Sequence, residues 1–164
     1  KTTGIIDHVN EIRWDIRPSP QLGTVEIRVF DGVSNLRELS ALVALTHCLV
    51  VDLDRRLDAG EQLPMMPPWH VQENKWRAAR YGLDAIIILD AESNERPLIE
   101  DLHDLLDRLT PVAESLHCGD ELAAVADIPR LGASYQRQRR VAEARGGDLC
   151  AVVDALVSEL DIEE

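Results

Sequence analysis

The stretch WDIRPSPQLGTVEIRV, residues 14–29, decides the fold class of this 164-residue chain. Apolar and charged residues alternate on both sides of a turn-rich centre, a pattern typical of two half-buried strands in an antiparallel hairpin. The apolar side of the second strand, which is predicted to face a core, holds Val25, Ile27 and Val29. Glu26 and Arg28 share the opposite face because side chains alternate along a strand. We therefore predict strands within about residues 8–31.

Helical periodicity dominates the rest of the chain. From residue 35 to residue 59, apolar residues recur at helical spacing, and Gly60 supplies a stop. Further helices are predicted over residues 71–81, 98–117, 121–126, 134–144 and 149–160, with a short buried strand near residues 85–89 and a polar turn over residues 92–96. Pro111 is a candidate break or kink in its helix. The sequence thus predicts an α+β fold in a single domain over residues 1–164.

Composition and charge argue against several classes of partner. The formal net charge of −13 disfavours a nucleic-acid backbone or an anionic membrane as the main partner. No apolar run approaches the roughly 20 residues that cross a bilayer. The chain starts without a signal peptide or an initiator Met, which suggests a processed or truncated protein. The three cysteines form no Cys-x-x-Cys pair, so the sequence supports neither a zinc site nor a disulfide framework, and a reducing cytoplasm is expected.

Strand register separates two interpretations of the charged face of the hairpin. If Arg17 pairs with Glu26, and Asp15 with Arg28, the face is a ladder of ion pairs on a solvated surface. Each exposed pair would then contribute at most about 1 kcal/mol. If the register slips by two, like charges oppose one another and need a divalent cation between the carboxylates or a phosphate between the arginines. The residues alone leave both registers open.

A second group of arginines lies on the helix predicted over residues 71–81. Asn74, Arg77 and either Arg80 or Tyr81 fall on one stripe of this helix. Two arginines three residues apart repel mildly, so a negatively charged partner is expected. That partner is either an acidic neighbour on the surface or a ligand in a cleft. Near the end of the chain, an inter-helix or solvated charge cluster is predicted for Arg137, Arg139 and Arg140, with anion contact as the alternative.

Three blocks in order resemble one known family. They are WDIRPSP with GTVEIRV at residues 14–29, ENKWRAARYGLDA at residues 73–85, and GASYQRQR at residues 132–139. Together they are similar to the C-terminal portion of the type 2 glutamate–cysteine ligases, also called carboxylate–amine ligases. The resemblance runs from about residue 8 to residue 145. It implies that the chain is part of a catalytic fold like that of glutamine synthetase.

The resemblance also implies an activity and roles for individual residues. It implies an ATP-dependent ligase that joins the γ-carboxylate of glutamate to the amine of cysteine through an acyl phosphate, in a pathway to a glutathione-type thiol. Glu26 is then expected to bind Mg²⁺, and Arg28 to contact the ATP phosphates as a catalytic residue. Substrate or ATP contacts are expected from Arg17, Asn74, Arg77 and Arg80. Such chemistry needs these groups because cations stabilise the charge that moves in phosphoryl transfer.

The chain departs from the family pattern at its start. Family members are longer, and their characteristic Gly-x-Glu-x-Glu strand is absent from this sequence. We therefore expect that the N-terminal half of the enzyme, which this sequence lacks, is needed as a partner and that the isolated fragment is inactive. Assembly into a homo-oligomer is also compatible with the sequence. The competing hypothesis is a non-catalytic α+β interaction module that uses its helical tail for assembly.

Overall fold

A computed structural model gives the structure of the chain and describes residues 4–5, 7–8 and 11–160. A two-stranded hairpin comes first, and mainly helices with a second small sheet follow, which confirms the predicted α+β class. Contacts within the chain divide it into two compact units, Lys1–Gly32 and Val33–Glu164, which we describe separately. The single domain over residues 1–164 stays a prediction. Of the strands predicted within residues 8–31, residues 9 and 10 lie outside the described part.

The first unit contains the hairpin. Strand β1 (Ile16–Ser19) pairs antiparallel with strand β2 (Thr24–Ile27), and Ile16 lies opposite Ile27. The strands are shorter than predicted. The predicted burial of the apolar face is wrong for Val25, which is 58% exposed, and for Val29, which is 55% exposed, whereas Ile27 is partly buried. A two-stranded hairpin has too few residues to build a core of its own.

The second unit begins with the longest helix among the described residues, α1 (Leu36–Asp58). Asn35 caps it, because its Oδ1 accepts a hydrogen bond of 2.8 Å from the Glu38 N–H. Gly60 follows the end of the helix at φ +77°, a conformation that favours glycine. The helix predicted over residues 35–59 is confirmed at both ends, since its apolar periodicity and its stop at Gly60 are local signals.

Helix α2 (Pro68–Tyr81) and a second small sheet come next. Pro68 opens the helix three residues before the predicted start, in the first helical position that suits proline. Strands β3 (Ile86–Ile88) and β4 (Glu95–Pro97) pair antiparallel, with Ile88 opposite Glu95. The sequence predicted β3 but assigned β4 to a polar turn over residues 92–96, which is wrong for its second half.

The turn between β3 and β4 ends before residue 95, earlier than predicted, because hydrogen bonds to the Asp90 side chain hold it together. The Asp90 carboxylate accepts hydrogen bonds from the Glu92 N–H, the Asn94 N–H and the Asn94 side-chain amide. These bonds also hold the pKa of Asp90 below its usual value. The chain is thereby free to extend again at residue 95 and to pair with β3.

The remaining helices complete the second unit. They are α3 (Leu98–Leu116), α4 (Gly119–Ala123), α5 (Asp127–Leu131), α6 (Ser134–Ala144) and α7 (Leu149–Leu160), with a 3-10 turn at Ala124–Ala126. Helix α3 continues through Pro111, so the proposed break does not occur. Because proline has no backbone N–H, Pro111 leaves the Asp107 carbonyl without its helical hydrogen bond. Both residues are exposed, so water can bind that carbonyl instead. No helix in the described part of the chain is long and apolar enough to cross a membrane.

The core of the second unit lies where α1 packs against α3 and α4. Helix α1 contributes small residues, Ala41, Ala44 and Cys48, which let the neighbouring helices approach closely. The larger side chains come from the facing helices, and Leu109 on α3 is completely buried.

Candidate functional site

The hairpin brings together three residues that the sequence analysis assigned to the site. Glu26 contacts the Arg17 guanidinium, and its other oxygen lies 3.7 Å from the Arg28 Nε. Arg17 lies directly opposite Glu26, and the Arg28 N–H donates a hydrogen bond of 2.7 Å to the Asp15 carbonyl. The strands therefore pair in the register that places opposite charges across from one another, as the solvated-surface interpretation predicts. Opposed like charges, which would have pointed to a cation or a phosphate, do not occur in it.

The cluster of Arg17, Glu26 and Arg28 still has useful chemistry. The Glu26 side chain is 45% exposed, so a ligand can reach its oxygens from solvent. The two guanidinium groups are more shielded, and Arg28 is also held by a hydrogen bond of 3.3 Å to the Ile12 carbonyl. An arginine fork that holds a carboxylate can hold a phosphate in the same way.

On α2, the side chain of Asn74 holds strand β3. Its Nδ2 donates to the Ile88 carbonyl and its Oδ1 accepts from the Ile88 N–H, both at 2.8 Å. The amide thus takes the place of a neighbouring strand at the edge of the second sheet. Sequence reasoning placed Asn74 on the correct stripe of the helix, but the partner was visible only in the fold.

Replacing Asn74 with alanine is expected to lower the free energy of unfolding by about 1–3 kcal/mol, because both polar groups of Ile88 lose their partner. Chemical denaturation measures the change. Gln72→Ala on the exposed side of the same helix is the matched control and should change the stability by less than about 0.5 kcal/mol. Equal effects of the two variants would contradict this role of Asn74.

Arg77 lies on the same side of α2 and is fully engaged with its neighbours. Its guanidinium contacts Glu73 at 2.9 Å and Glu95 at 2.7 Å, and donates to the Ile86 carbonyl at 3.0 Å. The two carboxylates hold the pKa of Arg77 above its usual value. Of the two partners considered for the arginines of this helix, acidic neighbours on the protein therefore account for the contacts of Arg77.

Arg80 differs from Arg77 in its surroundings. Its guanidinium lies 5.6 Å from the centre of the Tyr81 ring, and the residue is exposed. An open cavity of about 450 Å³ lies beside Arg77, lined also by Trp76, Tyr81 and Asp84. The arginines of α2 and those of the hairpin belong to separate units.

Arg137 forms an inter-helix cluster, as predicted. It joins α6 to the start of α1 through Glu38 at 2.6 Å and to α7 through Glu159, both of whose oxygens lie 3.0 Å from it. Further bonds go to the Gly132 carbonyl and the Ser34 hydroxyl. The Arg137 guanidinium also holds the pKa of Glu159 below its usual value. With its donors occupied, Arg137 has a structural role here.

Among the described residues, no three metal-binding side chains converge on one point. Glu26 would therefore have to be one ligand among others that this part of the chain does not provide. The hairpin cluster in the first unit and the polar side of α2 in the second unit are therefore treated as two separate candidate elements.

Comparison with known proteins places these elements in a family. The model of a family described as "Glutamate-cysteine ligase family 2" matches residues 1–155. The chain belongs to glutamate–cysteine ligase family 2. The resemblance found in the three sequence blocks is thereby confirmed.

Mycobacterial members of the ligase family are very similar to the chain. A protein of Mycolicibacterium smegmatis, named "Putative glutamate--cysteine ligase 2-1", is 81% identical over 162 residues, which are 99% of this chain and 43% of that protein. Relatives from Mycobacterium ulcerans and Mycobacterium avium, with "Putative glutamate--cysteine ligase 2" as their names, are 81% and 78% identical over 162 residues. The chain thus spans about 43% of the length of such relatives.

The sequence analysis did not identify Glu73 and Glu95, the two carboxylates that form ion pairs with Arg77. Glu73 could have been found, because residues four apart on a helix face one another and attract when oppositely charged. Glu95 gave no comparable signal, since its approach to Arg77 depends on the pairing of β3 with β4.

Proposed function

We propose that the full-length protein is an ATP-dependent ligase that joins the γ-carboxylate of glutamate to the amine of cysteine. The observation that carries the proposal is the family match over residues 1–155, together with relatives named as glutamate–cysteine ligases. The γ-phosphoryl group of ATP would pass to the carboxylate and form an acyl phosphate. The amine would then attack the acyl carbon and displace inorganic phosphate.

In this proposal, the hairpin cluster handles the phosphates of ATP. The exposed carboxylate of Glu26 is suited to Mg²⁺, which prefers hard oxygen ligands and supplies charge neutralisation during phosphoryl transfer when bound. Arg28 and Arg17 would exchange their contact with Glu26 for contacts with phosphate oxygens. Arg28 is the catalytic residue because charge develops on the transferred group.

Residues of α2 would contact the nucleotide or an amino-acid substrate. Arg80 has an exposed guanidinium and is the better candidate for contact with a nucleotide or an amino-acid carboxylate. Arg77 would contribute to the same contact by exchanging Glu73 or Glu95 for the ligand. Asn74, whose amide holds β3, would orient the helix that carries both arginines.

The remaining parts of the proposal concern the whole protein. We propose a fold like that of glutamine synthetase, in which the part of the polypeptide present in the longer relatives supplies further carboxylates to the site. A cytoplasmic location fits the three free cysteines. Self-association of the full-length protein is part of the same proposal.

Substitutions in the hairpin test the ligase proposal in the full-length protein. Glu26→Gln and Arg28→Ala are each expected to reduce the formation of ADP that depends on glutamate and cysteine by roughly 10²-fold, because each removes one charge from the phosphoryl-transfer site. Amide product and ADP are measured together, and thermal melting verifies that each variant is folded.

Two exposed residues outside the proposed site provide matched controls, Glu92→Gln and Arg145→Ala. Both should retain the wild-type rate. If folded Glu26→Gln and Arg28→Ala proteins also keep that rate, the cluster has no catalytic role. If the wild-type full-length protein makes no amide at all, the non-catalytic interaction module becomes the better hypothesis.

A further inference from the structure

Two of the three cysteines meet in the core of the second unit, although they are 70 residues apart in the sequence. The Sγ atom of Cys48 lies 3.7 Å from the Sγ atom of Cys118. Cys48 is fully buried on α1, Cys118 is partly exposed just before α4, and Cys150 on α7 is exposed. The two sulfur atoms are in van der Waals contact, and a disulfide requires them to close to the bonding distance of about 2.05 Å.

We propose that Cys48 and Cys118 form a modification site, at which a small-molecule disulfide produces a reversible intramolecular disulfide. The inference rests on the contact between the two sulfur atoms and is independent of the proposed ligase activity. It adds a covalent link between α1 and the residue that precedes α4, and these two helices already pack against one another in the core.

The backbone around Cys118 suits such a reaction. His117 ends α3 in the left-handed conformation at φ +56°, and the Cys118 N–H donates to the Ala113 carbonyl at 3.0 Å. Cys118 therefore lies in a connection between helices, and α4 beyond it has only five residues. A short connection of this kind adjusts more readily than the middle of α1, where Cys48 is fixed.

Exposure decides the order of the chemical steps. The Cys118 thiolate, being accessible, attacks one sulfur of the small-molecule disulfide, forms a mixed disulfide and releases one small thiolate. The Cys48 sulfur, after losing its proton to water or buffer, then attacks the Cys118 sulfur and displaces the second thiolate. Two electrons pass from the protein to the small-molecule disulfide, which is reduced to two thiols by taking up the two protons.

The surroundings of Cys48 make the second step slower than the first. Burial, and then the neighbouring Cys118 thiol, raise the pKa of Cys48 to about 11. Its other neighbours in the core are apolar, and Cys118 is the one ionisable side chain that acts on it in the described part of the chain. We therefore expect a mixed disulfide at Cys118 to accumulate before the intramolecular bond forms.

Peptide mapping tests the proposal directly. Trypsin separates the three cysteines, since they fall in the fragments 38–55, 109–130 and 146–164. After incubation of the protein with oxidised glutathione, we expect fragments 38–55 and 109–130 to be joined, with a mass two hydrogens below their sum. Dithiothreitol should reverse the link. The oxidised protein should melt roughly 5–10 °C higher, because the bond closes a long loop in the unfolded chain.

Three variants serve as controls. Cys150→Ser should form the link as the wild type does. Cys118→Ser should leave Cys48 unmodified, whereas Cys48→Ala should stop at the mixed disulfide on Cys118. Because the mapping reads the wild type and Cys150→Ser directly, the proposal is tested even if the other two variants fold poorly. A wild-type protein whose fragment 38–55 stays unmodified while Cys150 is fully converted would overturn the proposal.

Discussion

Replacing Arg137 with alanine is expected to lower the free energy of unfolding by about 2–4 kcal/mol. The Arg137 side chain is only 16% exposed. Its guanidinium neutralises Glu38, whose side chain is 13% exposed, and Glu159, whose side chain is 28% exposed. Removing one partner of a largely buried ion pair leaves the other charges desolvated without compensation. The loss should appear in chemical denaturation as a lower midpoint with an unchanged slope.

A neighbouring arginine on α6 provides the matched control. Arg139 lies against the Tyr135 ring, with its guanidinium 5.2 Å from the ring centre. Arg139→Ala should cost less than about 1 kcal/mol. If the two variants lose equal stability, the cluster around Arg137 does not hold α1, α6 and α7 together as its geometry indicates.

The same cluster predicts a dependence of stability on pH. Because the folded protein holds the pKa of Glu159 below its usual value of 4.5, this contribution is present above about pH 4.5 and is lost as the pH falls through the lowered value. The difference between the wild type and Arg137→Ala should therefore narrow as the solution is acidified below pH 4.5.

The second large effect is expected in the core. Leu109→Ala should reduce the free energy of unfolding by about 3–4 kcal/mol, because Leu109 is 0% exposed and its removal leaves a cavity between α1, α3 and α4. Leu57→Ala is the control, since this α1 side chain is 57% exposed and alanine favours helix. Its effect should stay below about 0.5 kcal/mol. Similar losses at the two positions would contradict the assignment of the core.

Local signals predicted much of the fold. The bounds of α1 followed from apolar spacing and from Gly60, which lie within the helix or beside it. The start of α2 and the existence of β4 were missed for a different reason. The helix was predicted to start at residue 71, three residues after Pro68, and β4 became a strand only through its pairing with β3.

The site was predicted less completely than the fold. The alternation of residues 24–29 placed Glu26 beside Arg28, but the alternation is the same in either register. The structure shows the register in which Arg17 lies opposite Glu26. Similarly, the stripe of Asn74 and Arg77 was visible, whereas the Ile88 backbone and Glu95 that engage them were not.

By itself, the sequence determined the fold class, most of the helices and the membership of a ligase family, because periodicity, capping and motif order are properties of neighbouring residues. Only the tertiary structure decided which charges meet on the hairpin, that Arg137 links Glu38 to Glu159, and that Cys48 touches Cys118. Arg137 and Glu38 are 99 residues apart in the chain, and the two cysteines are 70 apart. No local pattern encodes such contacts, since they arise when the apolar faces of separate helices pack together and carry their polar side chains with them.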